Sequence, residues 1–410
     1  MNEKKTGIDR RQLLKGSLAL GLTGLLTPKG LWAKDSSTVT LPFERGRRPL
    51  VAFPQKRPLM VMTTRPPQLE TPFYIFNEDI FTPNDAFFVR WHLANIPQEI
   101  DMNGFRLTIR GRVKQSLSLS LHELQTQFEQ VEIAAVCQCS GNSRGFFQPR
   151  VPGGQWGNGA MGNANWKGIR LRDLLHKAGI KGDAVEVRFD GLDQPVAQAT
   201  PDFRKSLPLD DALQEEVLIA HSMNGEALPM LNGYPLRLVV PGWYATYWVK
   251  MLNDIEVLNQ ADQNFWTTHA YRLPANPCHC VKPGESLTDT VPMGKMPVRS
   301  FITNLEEGRT IPGGEPCTIK GIAFDQGYGM DRVLVSVDGG QQWLSARLGK
   351  DYGDFSFRPW EAKFIPKPGH AYALQSLAIN RIGESQRFGA RWNPNGYLRN
   401  VIETVNIQAS

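Results

Sequence analysis

The sequence predicts a two-domain chain, a mixed α+β body followed by an all-β, immunoglobulin-like sandwich, and three observations predict it. Strand-like runs at 86–92, 105–113, 185–190 and 236–240 alternate with helix-like runs at 121–128 and 171–178. A Pro-, Cys- and Gly-rich stretch at 274–284 then ends the helical pattern. Beyond it lie short strands between Gly-rich turns, among them a run from Arg332 into Asp338-Gly339-Gly340 followed by Trp343, a hairpin common in sandwich modules.

Taken in order, residues 1–33 read as an export signal. A basic segment ending in Asp9-Arg10-Arg11-Gln12-Leu13-Leu14-Lys15 precedes a weakly apolar stretch at 16–27, too short to span a bilayer, and Leu31-Trp32-Ala33 offers small-residue cleavage. The paired arginines predict twin-arginine export to the periplasm, a route for proteins that fold around a cofactor before leaving the cytoplasm. The Pro-, Arg- and Thr-rich stretch at 36–83 reads as an extended arm outside the core. The first domain, arm included, is predicted over 34–284 and the sandwich over 285–410. No later segment is long and apolar enough to predict a membrane anchor.

Charge excludes one class of partner. The formal net charge is +6, but 1–33 hold six Lys/Arg against Glu3 and Asp9, so four of those surplus charges sit there and two remain for the rest of the chain. That is too little to predict nucleic-acid binding. The five cysteines (137, 139, 278, 280, 317) form two C-x-C pairs and one single, unlike a disulfide framework. For Cys278 and Cys280 a structural or unpaired state is expected rather than a metal site, and no Cys-x-x-Cys-His occurs for covalent haem.

The chemistry concentrates around Cys139. An apolar strand, Ala134-Ala135-Val136-Cys137, runs into Gln138-Cys139-Ser140-Gly141-Asn142-Ser143-Arg144, which places Cys139 at a strand end before a tight turn. Arg144 and the turn N–H groups favour thiolate over thiol, the form that binds soft or high-valent metals. Cys137 reads as a small buried hydrophobe. Upstream, two-residue periodicity puts Phe88, Arg90 and His92 on one face of a strand. Gly157-x-Gly159-x-x-Gly162 has the form of a dinucleotide fingerprint, but no apolar strand precedes it and no βαβ unit encloses it.

These blocks, in this order, resemble the sulfite oxidase family of molybdenum enzymes over nearly all of the chain after residue 33. Gln138 to Arg144 resembles the family's metal-ligand segment, which implies that Cys139 binds molybdenum. Phe88, Val89, Arg90, Trp91 and His92 resemble its pterin-contacting strand. Trp156 falls on the substrate-pocket tryptophan, and Asp193, Asn232, Arg237, Trp248, Val249 and Lys250 on residues lining the pterin and its phosphate. Vertebrate-type members carry His where this chain has Asn232. Tyr271 takes the place of the active-site tyrosine. The eukaryotic third pocket arginine aligns with Asn395, so Arg399 is taken in its stead, with Arg391 as the rival.

The resemblance implies a molybdopterin-bound molybdenum centre, and sulfite held by Arg90, Arg144 and Arg399. His92 and Tyr271 orient the anion and relay protons. It further implies electron transfer to a c-type cytochrome or a haem c subunit, and a homodimer or heterodimer. Two related chemistries stay open: a sulfane dehydrogenase subunit of a thiosulfate-oxidising complex, and a periplasmic methionine sulfoxide reductase, whose chains resemble only the first domain. A secreted binding module with inert cysteines is the alternative outside catalysis.

Overall fold

A computed structural model describes residues 38–40, 47–51 and 53–410, so the expected export signal lies outside the described residues. Thr38–Ser410 form one compact unit. Two sheets form the centre of the first domain. One is ordered Arg204–Pro208, Glu186–Gly191, Leu252–Leu258, Leu107–Gly111, Leu117–Leu119, with one parallel pair, Leu252–Leu258 beside Leu107–Gly111. The other places Met161–Arg170 between Val131–Gln138 and Leu218–Met223, both antiparallel.

Local sequence explains the two predicted helices. Leu121–Gln127 starts at a capping box, Ser120 accepting from the Glu123 N–H while the Glu123 carboxylate accepts from the Ser120 N–H. Leu171–Ala178 buries Leu171, Leu174, Leu175 and Ala178 on one face and stops at Gly179, whose φ of 71° suits glycine. Among the described residues no helix is long and apolar enough to cross a membrane.

The second domain is a sandwich. One sheet runs Arg299–Ile302, Cys317–Phe324, Arg358–Phe364, Arg347–Leu348; the other runs Arg309–Ile311, Thr404–Ala409, Ala371–Asn380, Met330–Ser336, Leu344–Ser345. Alternating side chains from both, including Ile319, Ala323, Val333, Val335, Leu374 and Ile407, close its core.

Two expectations change. The arm is not all outside the core: Leu59–Thr64 and Pro67–Glu70 form a hairpin that pairs with Val89–Arg90, burying Leu59 and Leu69 against Val89, Trp91 and Met251. A Pro-rich composition hid a two-residue alternation too short to stand out. The seam between domains also falls later than 284/285. Thr290–Pro292 pairs with Arg272–Pro274, and Met293 and Met296 sit in the first domain's core, so the sandwich sheets begin at Arg299. That same core recruits Phe301, Ile322, Phe324 and Phe357 from the sandwich, joining the two domains through shared apolar burial.

Candidate active site

Cys139 follows directly on the strand Val131–Gln138 and is held by main-chain bonds. Its N–H donates to the Ala160 carbonyl at 2.9 Å and its carbonyl accepts from the Asn142 N–H at 3.0 Å. The Asn142 side chain accepts from the Ala160 N–H at 3.0 Å. Ser143 adopts a left-handed φ of 69°, a conformation that costs a non-glycine residue about 1–3 kcal/mol. It is kept there by the Ser143 N–H to Gly157 carbonyl bond at 2.6 Å and by Ser143 Oγ donating to Asn158 Oδ1 at 2.5 Å. Gly141 lets the Arg144 guanidinium approach closely: a Cβ there would lie 2.6 Å from it and make it shift.

Opposite this turn lies the face predicted from alternation. A cavity is lined by Phe88, Arg90, His92, Cys139, Ser140, Phe203, Leu231, Asn232, Arg237, Ala245, Thr246, Lys250 and Tyr271. Phe88, Arg90 and His92 look in, whereas Val89 and Trp91, each 1% exposed, pack into the cluster behind. Their side chains therefore do not line the cavity, which leaves the main chain of these two residues as the part that could meet a cavity ligand. Val249 is likewise buried in the core, and Trp248 stands behind Arg237, whose guanidinium lies 5.7 Å from its ring centre.

His92 and Tyr271 share a hydrogen bond between Nε2 and the phenol oxygen. The imidazole stacks on Phe203 at 3.6 Å and meets the edge of Trp266 at 4.7 Å. Burial, followed by the charges of Arg90, Lys250 and Lys205, pushes the His92 pKa well below the usual histidine value, so the ring is neutral at physiological pH. Burial raises the Tyr271 phenol, partly offset by Arg90. Tyr271 also holds a left-handed φ of 56°, backbone strain of the sort that collects at functional sites.

Deeper in the cavity the charges are cationic. Arg237, 4% exposed, donates to the Asn232 carbonyl at 3.0 Å and to the Cys137 sulfur at 3.2 Å. Burial raises the Cys137 thiol, so Cys137 is an enclosed neutral partner, as expected of it. Lys250 donates to the Arg90 carbonyl at 3.0 Å and covers the Trp91 ring. Asp193, 3% exposed, is the acidic group interacting with Lys250, its carboxyl raised by burial.

The arginine expectations are redistributed. Arg144 does not line the cavity: its Nε donates to the Asn395 carbonyl at 2.9 Å, and its guanidinium lies 5.2 Å from the Tyr397 ring, which stacks on Tyr271. Arg399 is drawn away altogether, paired with Glu403 and set over Phe146 at 4.6 Å. Its rival Arg391 is exposed at the surface. A half-buried competitor carboxylate, Glu403, shared with Arg299 at 3.1 Å, is what spacing alone did not show. Trp156, 1% exposed, lies outside the lining, its carbonyl accepting from the Gly145 N–H at 3.0 Å. Cys278 and Cys280 form a disulfide with each other.

Three residues that sequence reasoning missed support the site. Lys56, from the arm, donates to the Phe87 carbonyl at 3.0 Å and to Asn232 Oδ1, while Asn232 Nδ2 donates to the Phe88 carbonyl at 3.1 Å. Glu70, also in the arm, accepts from the N–H groups of Gly157 at 3.0 Å and Gly159 at 2.8 Å, securing the loop beside Cys139. Lys205 lies two residues from Phe203. A carboxylate or ammonium inside a predicted arm had no partner in sequence to betray it.

The cavity suits a polyanionic group bearing hydrogen-bond acceptors. Arg90 Nη1, His92 Nδ1, Ser140 Oγ and Arg237 Nε are buried polar atoms with no partner among the described residues, an arrangement too costly to keep unless something else satisfies it. Residues 92–266 match the family model for an oxidoreductase molybdopterin binding domain, and residues 291–365 that for a Mo-co oxidoreductase dimerisation domain. Fold and site thus define a molybdopterin oxidoreductase. The chain is 34% identical over 384 residues to human mitochondrial sulfite oxidase, covering 88% of this chain and 68% of that protein. It is 38% identical over 381 residues to the Macaca fascicularis enzyme, covering 88% and 67%. With the Rattus norvegicus enzyme the identity is 33%, and the match spans 66% of that protein's length. The crystal structure of the sulfane dehydrogenase SoxCD from Paracoccus pantotrophus superposes with a TM-score of 0.72 at 25% identity, covering 98% of this chain and 97% of that one. The chain belongs to the sulfite oxidase family, and its cofactor is molybdenum carried by molybdopterin.

Proposed function

We propose that this protein oxidises sulfite to sulfate and passes the electrons singly to a c-type cytochrome or haem c subunit, after twin-arginine export to the periplasm. The observation that carries the reading is the cavity itself, where Cys139, Arg90 and the His92–Tyr271 pair face one another across a few residues. Cys139 would bind the metal; Asn232, Arg237 and Lys250 would hold the pterin and its phosphate, Arg237 and Lys250 supplying the cationic contacts. When bound, the cofactor supplies the oxygen atom that sulfur acquires and takes up the two electrons released.

Arg90, with its free Nη1, draws the sulfite oxyanion to the mouth of the cavity by a charge-assisted hydrogen bond. Neutral His92 and the protonated phenol of Tyr271, joined by their hydrogen bond, would form the path along which the two protons released in the oxidation leave the cavity. Arg144, stacked against Tyr397 behind Tyr271, adds positive potential without direct contact. A protein with a dimerisation domain fits a homodimer or a heterodimer with its electron acceptor. A second reading, sulfane dehydrogenase, is favoured by full-length likeness to SoxCD. Methionine sulfoxide reduction is disfavoured by the sandwich. Purified, molybdenum-replete protein assayed for cytochrome c reduction with sulfite, then with sulfane-sulfur donors, separates them: turnover with sulfite alone is expected, and turnover with sulfane sulfur alone would overturn the reading.

A further inference from the structure

Beside the His92–Tyr271 pair lies a cation with no role in the chemistry so far. Phe203 and Lys205 flank Arg204 at the start of the strand Arg204–Pro208, so period-two geometry turns both side chains to one side. Phe203 stacks on His92 at 3.6 Å. Lys205, 1% exposed, sets its ammonium 5.5 Å from the ring centre of Tyr271 and 4.7 Å from that of Tyr247. Among the described residues its hydrogen bond goes to the carbonyl of Trp266 at 2.5 Å, and the ring of Trp266 edges His92. Two of the rings packed against His92, Phe203 and Trp266, are therefore tied to this one strand end.

We propose that Lys205 is a positioning residue for the His92–Tyr271 pair, its ammonium setting the direction of their hydrogen bond so that Tyr271 donates and His92 Nε2 accepts. The inference rests on the reading of His92 and Tyr271 as the proton-handling pair.

The physical argument has three parts. A cation against the ring face draws electron density from the phenol and makes its hydroxyl a stronger donor. The same charge repels a second proton on His92, acting with Arg90 and Lys250. A neutral imidazole that accepts at Nε2 must carry its proton at Nδ1, and Nδ1 is the buried ring nitrogen without a partner among the described residues. Lys205 thereby presents an N–H from His92 to the cavity, next to the free donors of Arg90 and Arg237. The charged groups facing Lys205 are Arg272, which opposes its charge, and Asp262, which supports it; Asp262 is itself engaged by Ser206. Burial, joined by Arg272, outweighs Asp262 and brings the ammonium down to about 7, so this control is lost as the solution turns alkaline.

The test uses holoenzyme with equal molybdenum content in the wild type, Lys205→Met and Lys205→Arg. In wild type, kcat should fall as pH rises through about 7. Lys205→Met should lie about a hundredfold lower at neutral pH and lack that fall, and Lys205→Arg should restore activity and move the fall upward. A Lys205→Met profile parallel to wild type, or loss of activity that arginine does not restore, would overturn the proposal. In parallel, [13Cε1]histidine NMR of the same proteins, with the His92 signal assigned by its loss in His92→Gln, should show the His92 midpoint move upward in Lys205→Met. An unmoved midpoint rejects the proposal even where sulfite is not turned over, a result that would sink the functional reading instead.

Discussion

The imidazole of His92 and the phenol of Tyr271 meet through one hydrogen bond although 179 positions separate them in the chain. Replacing Tyr271 by Phe keeps the stacking on Tyr397 and removes only the hydroxyl that bonds His92. It should lower kcat/KM for sulfite about a hundredfold, the usual scale for a lost general acid–base group. Steady-state kinetics at constant molybdenum content check this, and an unchanged kcat/KM would remove Tyr271 from proton handling.

Cys139 itself is held by main-chain bonds, so Cys139→Ser should leave the fold intact. Since even outer-shell partners of a metal cost 10–100-fold, loss of a direct ligand should leave below about 1% of wild-type turnover. X-ray absorption at the molybdenum edge should count one sulfur fewer. An unaltered sulfur count would show that the ligand is another group.

Arg90 and Arg399 should separate cleanly. Arg90→Gln removes a charge-assisted bond worth about 1.5–3 kcal/mol and should raise the KM for sulfite by about tenfold to a hundredfold. Arg399→Gln should leave KM near wild type and lower stability by about 1–3 kcal/mol, because Glu403 loses one of its two arginines. Urea titrations and sulfite kinetics on the two variants read both effects. A large KM change in Arg399→Gln would return that residue to the anion site.

Glu70 makes stability depend on pH. Burial raises its carboxyl to about 7, against the hydrogen bonds from Gly159 and Gly157 that favour the anion. Between the ordinary carboxylate range and about 7 the folded state holds a proton that the unfolded chain releases. Its contribution to stability is therefore greatest at the acidic end of that window and declines as pH rises through it. Other raised carboxyls, Asp193 and Asp190, slope the same way, so the difference from Glu70→Gln isolates this group. Unfolding midpoints measured from about pH 5 to about pH 8 should converge or cross because the variant lacks up to about 3 kcal/mol of that slope. Parallel curves would show that Glu70 is not the titrating group.

Much of the site was legible because it is local. Phe88, Arg90 and His92 share a face by the two-residue repeat of an extended chain, and the turn after Cys139 is written in its own Gly and Asn. Cys139, Asn232, Arg237, Lys250 and Tyr271 were reached by order of motifs, and the cavity gathers them with the first three. Lys56, Glu70 and Lys205 were not legible, since an isolated charged residue in a Pro-rich or strand-edge context looks solvated until its partners are known. Arg399 went wrong for the complementary reason: its partner Glu403 lies four residues on, and nothing in sequence says whether that carboxylate or the cavity wins the guanidinium.

By itself the sequence determined the class of the two domains, the helices at 121 and 171, the alternation that faces Arg90 and His92 one way, and the thiol at the end of a strand. Periodicity and turn chemistry act over a few residues and need no knowledge of the rest. Tertiary structure alone decided which cations surround the cavity and which are spent elsewhere. It also decided that the arm contributes a buried lysine and a buried carboxylate, and that His92 stays neutral beside Tyr271. Those outcomes depend on desolvation and on charges brought together from distant positions, quantities that exist only once the chain has closed around them.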